Sequence, residues 1–272
     1  MRGQQLSNII KKSNLVENSI YYSPFNTNIS DSIIILTKGV LKEVTLDQLE
    51  LLNSNNNVIL SDYVDEIPNP NQIPFFHGLI ASSLNGYRSF LAKFSSLPTF
   101  HITHHVDPRV STLELNTSNN QSLNIGYFGE IVNCHLTSRI EKEISTIHID
   151  TSKQHDGWIE ELHKYNMHYA VRNRRAIDGY KPFLKCFTAA AVGSNIITSE
   201  DESDAIYYLG SDYPFLLPPN PTEDKIISAF TEAKERFGDS SWRYAQEIMT
   251  EVRNRSSNQV VANEFKLLID SI

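Results

Sequence analysis

The chain has 272 residues, enough for one large domain or two of roughly 120 residues each. Hydrophobic residues make up 40% and charged residues 21%, the balance of a globular protein with a core to bury. A net charge of −8 argues against a general nucleic-acid binder and confines phosphate recognition to a local basic patch.

Ile9-Ile10 is followed at once by Lys11-Lys12, so the first residues lack the apolar core of a secretion signal. The first clear element is the β-branched run at residues 32–36 (SIIIL), suited to a strand buried on both faces. Thr45 then caps a helix whose Leu46, Leu49 and Leu52 recur at helical spacing. The asparagine run at 53–57 breaks it, and Val58-Ile59-Leu60 opens a second strand that ends at Asp62. After a proline-rich loop come a short strand at 78–81, a helix over 84–94 and a strand at 99–103, which leads into His104-His105-Val106-Asp107-Pro108-Arg109.

Residues 111–122 (STLELNTSNNQS) are polar and rich in Asn and Ser, the composition of a linker. Strand and helix signals then alternate again. Strands are predicted at 123–127, 146–149, 168–171, 195–198 and 213–217, and helices at 137–144, 157–165, 183–192 and 204–209. Pro182 fits the first turn of the helix at 183–192, and Gly193 ends it. Two apolar stripes close the chain: Ile226, Ile227, Phe230, Ala233 and Phe237, then Trp242, Ala245, Met249 and Val252. No run approaches the roughly 20 apolar residues of a membrane-spanning helix. Cys134 and Cys186 stand far apart in apolar surroundings, as buried thiols do. The expectation is a cytoplasmic protein, or one peripheral to the inner face of a membrane.

The alternation predicts an α/β protein with two Rossmann-like open parallel sheets facing across a cleft. The expected boundaries are 1–110 for the first domain, 111–122 for the linker, 123–240 for the second domain and 241–272 for packing helices. Open α/β sheets bind ligands beyond the carboxyl ends of their strands, so the chemistry is expected there. In the first half His105 and Asp107 are candidates for taking a proton from an attacking hydroxyl. A His-Asp pair that caps a turn before Pro108 accounts for the same residues. In the second half Arg172, Arg174 and Arg175 follow a strand, and Lys181 and Lys185 flank a helix start, which together suit a phosphate clamp. A solvated basic loop is the alternative. Glu202 is one of several acids and hydroxyls that could accept from a sugar or ribose hydroxyl, and Gly126 with Gly129 would let backbone approach a ligand. There is no G-x-G-x-x-G, no P-loop, no G-x-S-x-G elbow and no Asp-x-Asp, so neither a dinucleotide cofactor nor a metal is expected.

The segment Tyr180-Lys181-Pro182-Phe183-Leu184-Lys185, with Ala189-Ala190-Ala191-Val192-Gly193 and the apolar strand behind it, resembles the donor-binding half of GT-B glycosyltransferases. Asp204-Ala205, Leu209-Gly210 and the helices bearing Trp242 and Met249 continue the likeness, and the first half is similar in order to an acceptor domain. Two departures stand out: Glu200-Asp201-Glu202 does not reproduce the spaced glutamate pair of many retaining members, and Lys38-Gly39 stands where a Gly-Gly turn is usual. The resemblance implies a nucleotide-sugar donor as substrate, no separate cofactor and a metal-independent transfer to a glycan, lipid-linked or other hydroxyl acceptor, as in polysaccharide biosynthesis. It implies further that Lys181 and Arg172 neutralise donor phosphate, Glu202 holds a hydroxyl, and Asp107 or His105 is the base. An epimerase or hydrolase acting on nucleotide sugars, or a non-catalytic binding module, is the alternative.

Overall fold

The computed structural model describes residues 2–113, 115, 122–149, 157–173 and 176–272. In chain order it begins with α1 (Arg2–Ser13), β1 (Ile33–Thr37), α2 (Lys38–Leu41), α3 (Leu46–Ser54) and β2 (Val58–Asp62). β3 (Gly78–Ala81), α4 (Leu84–Lys93) and β4 (Thr99–His101) follow. Next come β5 (Ile125–Gly129), β6 (Ser145–His148), α5 (Gly157–Glu161), β7 (Met167–Tyr169), α6 (Leu184–Ala191) and β8 (Asn195–Ser199). The last are α7 (Ala205–Leu209), β9 (Leu216–Leu217), α8 (Glu223–Glu235), α9 (Ser240–Arg255) and α10 (Asn258–Asp270).

The chain divides into two compact units: residues 1–105 with 176–182 and 258–272, and residues 106–175 with 183–257. Each holds one open parallel sheet, as the alternation of strands and helices predicts. Of the predicted linker, residues 114 and 116–121 lie outside the described residues, and 110–112 form a single tight turn. The predicted helix at 137–144 is reduced to one turn at Ile140–Lys142. The chain also crosses between units at places its composition does not mark: α9 stays with the second unit while α10 belongs to the first.

In the first unit the strands lie in the order β1-β2-β3-β4, with Ile34 beside Ile59 and Ile80 beside Phe100. Successive strand residues face opposite ways, so both faces are apolar. Ile59 and Leu79 join Leu49, Leu52 and Phe90 in one core cluster, which the helices α3 and α4 complete. Leu60 and Ile80 join Leu6, Ile9, Ile10, Val261 and Phe265 in the other, under α1 and α10. α1 has no counterpart among the predicted elements, although its buried Leu6, Ile9 and Ile10 stand at helical spacing. Thr45 and Gln48 form a reciprocal capping box at the start of α3.

The second unit has the order β6-β5-β7-β8-β9, parallel throughout. β5 is therefore flanked on one side by the strand that follows it and on the other by the next strand but one. The connections leave it in opposite directions, which opens a crevice at the carboxyl ends of β5 and β7. Beneath it the core is aromatic: Tyr169 meets Phe230 edge-on, and Phe187 meets Tyr208. α6 packs on α9, and both helices bury alanines, Ala189 and Ala190 on one and Ala245 on the other.

His168, in β7, is buried with its ring 4.8 Å from that of Phe128. Burial, and then the charge of Lys185, hold its imidazole down from 6.5 to about 3. The unfolded chain thus binds this proton near pH 6.5 and the folded chain only near 3. The contribution to stability is complete above the higher value and is lost as pH falls toward the lower one. The thermal midpoint is expected to drop on acidification from about pH 7 to about pH 5, and His168→Gln to flatten that drop. An unchanged slope in the variant, measured by calorimetry, would count against this assignment.

Candidate functional site

β5 ends at Gly129, whose φ of +146° is open to glycine and strained for other residues. A Cβ there would lie 3.2 Å from the Lys185 ammonium and 3.3 Å from the Tyr127 hydroxyl. Lys185, in the first turn of α6, sets its ammonium 3.7 Å from the centre of the Tyr127 ring. That is a close cation–π contact, and the ammonium is shielded from solvent.

The loop after β5 is tied to the end of β7. The Tyr127 hydroxyl donates to the Glu130 carbonyl at 2.7 Å, and the Tyr169 hydroxyl to the His135 carbonyl at 2.7 Å. His135 N–H donates to the Val171 carbonyl, Cys134 forms an isolated bridge with Arg172, and Asn173 Nδ2 donates to the Cys134 carbonyl. Arg172 Nε lies 2.7 Å from Glu202 Oε1, both side chains being largely buried. Two of the predicted phosphate-binding cations, Arg172 and Lys185, thus belong to this edge, with Glu202 fixing the first of them.

Electrostatics follow from burial. Desolvation pushes the Cys134 thiol up to about 11 against the pull of Lys185, so it stays protonated. The Tyr127 phenol is raised as well, by burial first and by Cys134 next, with Arg172 opposing. Beside a neutral tyrosine and a neutral thiol stand two cations, Lys185 and the Glu202-paired Arg172, an arrangement suited to an anion. Among the described residues no group of three or more His, Cys, Asp or Glu could hold a metal ion.

Two of the predicted donor-site residues, Lys181 and Gly126, make other contacts. Lys181 lies in the 176–182 segment of the first unit and pairs with Asp178 at 3.0 Å. The cause is Tyr180, which stacks on Phe90 while its hydroxyl accepts from Lys93 at 2.8 Å. Ser83 Oγ and Asn85 Nδ2 bond the carbonyls of Tyr180 and Gly179 and complete the hold. Lys181 is therefore not in the unit that carries Arg172 and Lys185; Arg174 and Arg175 lie outside the described residues. Gly126 is a packing glycine: a Cβ would come within 2.7 Å of the Tyr165 ring, so its bareness serves Tyr165 rather than a ligand.

The predicted base pair is also rearranged. Asp107 accepts from Arg109 at N, Nε and Nη2, the last at 2.8 Å, and a carboxylate so engaged is a poor base. His105 is 1% exposed, with Nε2 3.5 Å from the Arg2 carbonyl. β4 ends at His101, before strand alternation could orient either side chain. The neighbour, His104, is the less deeply buried of the two. Its Nδ1 lies 2.9 Å from the His105 carbonyl. A carbonyl only accepts, so Nδ1 carries the proton and Nε2 keeps a lone pair. Burial first, then the charges of Arg2 and His105, hold this imidazole well below its ordinary value, so it is neutral at neutral pH. Strand alternation does not reach this pair, in which His105 is the more deeply buried.

No family model matches the chain, and no curated protein matches it in sequence. Solved structures do match in shape. A glycosyltransferase from Rickettsia africae superposes with a TM-score of 0.58 at 12% identity, over 99% of this chain and 80% of that one. Alr3699/HepE of Anabaena, in complex with UDP, gives 0.57 at 9% identity, over 98% and 82%. The GtfA/B complex gives 0.57 at 12%, over 89% of this chain; the chain spans 57% of the matched chain. At such identities the likeness is one of fold, and the fold is that of the GT-B glycosyltransferases.

The packing reading of Gly126 is open to a direct check. Gly126→Ala is expected to cost about 2–3 kcal/mol in urea unfolding, from forcing Cβ into the Tyr165 ring. A variant as stable as the parent would return Gly126 to the list of ligand-facing positions.

Proposed function

We propose that this chain, built on the GT-B fold, transfers a glycosyl group from a nucleotide-activated sugar to a hydroxyl acceptor without a metal ion. The observation that carries the reading is the edge at β5 and β7, where Gly129, Lys185, Arg172 and Glu202 collect at the switch point of the second sheet. A donor diphosphate is the anion this edge suits. Lys185 brings a desolvated ammonium on a flexible stem, a point charge suited to a phosphate oxygen. Arg172, fixed by Glu202, supplies a planar donor set.

In the transfer, the acceptor oxygen bonds to the anomeric carbon as the bond from that carbon to the diphosphate breaks. The nucleoside diphosphate leaves with the electron pair, and Lys185 and Arg172 stabilise the charge it gains. The acceptor proton goes to a base. The first unit offers His104 Nε2 for that role in place of His105 or Asp107, since it keeps a lone pair and is unprotonated at neutral pH. The absence of Asp-x-Asp from the sequence favours cations over a divalent ion as the charge stabiliser.

A second reading, a module that binds a nucleotide sugar without turning it over, draws on the engagement of Asp107 by Arg109. Turnover assayed in EDTA separates the two.

Lys185→Ala is expected to weaken binding of a nucleoside diphosphate about tenfold or more in calorimetric titration, the loss of one charge-assisted bond. Unchanged affinity sinks the phosphate site. His104→Gln is expected to lower transfer about 100-fold with donor affinity kept. Parental turnover in that variant removes His104 from the mechanism.

A further inference from the structure

The first unit contains a buried arginine that the proposed chemistry does not use. Arg2, at the start of α1, sends Nε to Asp62 Oδ2 at 2.7 Å, Nη2 to the Ile102 carbonyl at 3.0 Å and Nη1 to the Thr103 carbonyl at 3.3 Å. Asp62 is fully buried at the end of β2 and also accepts from Ser82 Oγ at 3.3 Å and Val64 N–H at 3.0 Å. Val64 holds a φ of +63°, unfavourable for a β-branched residue and tolerated where surrounding contacts enforce it. From α10, Glu264 takes the Thr103 N–H at 2.7 Å and its hydroxyl at 2.9 Å. The two residues before His104 are thus gripped through their carbonyls by Arg2 and through an N–H by Glu264. His104 N–H in turn donates to the Ser82 carbonyl at 3.3 Å.

We infer that Arg2 is a positioning residue for His104: its fork pins residues 102–103 so that the imidazole keeps Nδ1 on the His105 carbonyl. The catalytic consequence rests on the glycosyl-transfer reading; the positioning does not. A lysine could carry the charge but not span Asp62 and two carbonyls at once, because the grip depends on a planar set of donors. The guanidinium also opposes protonation of His104. The other titratable or charged groups that bear on this strand end include Asp62, His101, His105, Glu264 and the N-terminal amine, which also opposes protonation of His104; His101 Nδ1 lies 3.5 Å from Glu264 Oε1. Asp62 is the ion-pair partner of Arg2, and it is Arg2 whose charge bears on His104, so both are removed together lest a buried carboxylate be left uncompensated.

The test is imidazole titration by NMR in the full chain labelled at histidine carbon, with His104→Gln to assign the resonance. In the parent, His104 is expected to stay neutral well below pH 6.5. In Arg2→Met/Asp62→Asn, which removes both charges and keeps the site near isosteric, its midpoint is expected to rise by about one pH unit. Arg2→Lys is expected to broaden the His104 resonance, with less of an upward shift. The acid limb of the pH–rate profile should rise with the midpoint. A folded double variant in which His104 titrates as in the parent overturns the proposal. A shifted titration in a protein that transfers no sugar sustains the positioning role and overturns the transfer reading instead.

Discussion

A parallel strand whose two neighbours are reached by connections leaving in opposite directions has a crevice at its carboxyl end, because no helix can cover both exits. β5 is that strand, and the order β6-β5-β7-β8-β9 sets the location of most of what distinguishes the second unit. Gly129 must be bare where the chain turns out of β5 beneath Lys185. The loop to Cys134 must reach back to Val171 and Arg172 to satisfy its backbone. The first sheet, β1-β2-β3-β4, runs in sequence order and has no such reversal among the described residues. Its strand ends are filled by the chain's own groups.

Charge is handled in the same way in both units. In a chain of net −8, several partly or fully buried cations are matched to a carboxylate: Arg2 to Asp62, Lys181 to Asp178, Arg172 to Glu202. Such pairs recover the cost of desolvation only when geometry is good, so their contribution is to conformation more than to net stability. Arg2 shows this most directly, since its guanidinium reaches one carboxylate and two carbonyls at a strand end. Lys185 also sets its ammonium over an aromatic face, that of Tyr127.

Much of the fold was legible because helix and strand leave local periods. The isoleucine run at 32–36, the leucines at 46, 49 and 52 and the glycine after the helix at 183–192 marked elements that the structure contains. The site was legible in part: Arg172 and Lys185 were marked by following a strand and opening a helix, and both stand at the β5 and β7 edge. Gly129 was in view as a place for backbone to approach a ligand, but the contact of Lys185 with the Tyr127 ring was not, because nothing local tells which lysine will lie over which ring. α1 was overlooked because its stripe is short and polar residues surround it.

Local chemistry, read from order and spacing, determined the α/β class, the two parallel sheets and the presence of cations at strand and helix ends. Only the tertiary structure decided the strand order of the second sheet, which of His104 and His105 is buried, and the unit to which Lys181 belongs. Each of these turns on contacts between residues far apart in sequence. β5 pairs with β7 across some forty residues, His105 meets Arg2, and Tyr180 stacks on Phe90. The free energy that settles them comes from burying apolar surface and pairing polar groups across the assembled core, a quantity no local window contains.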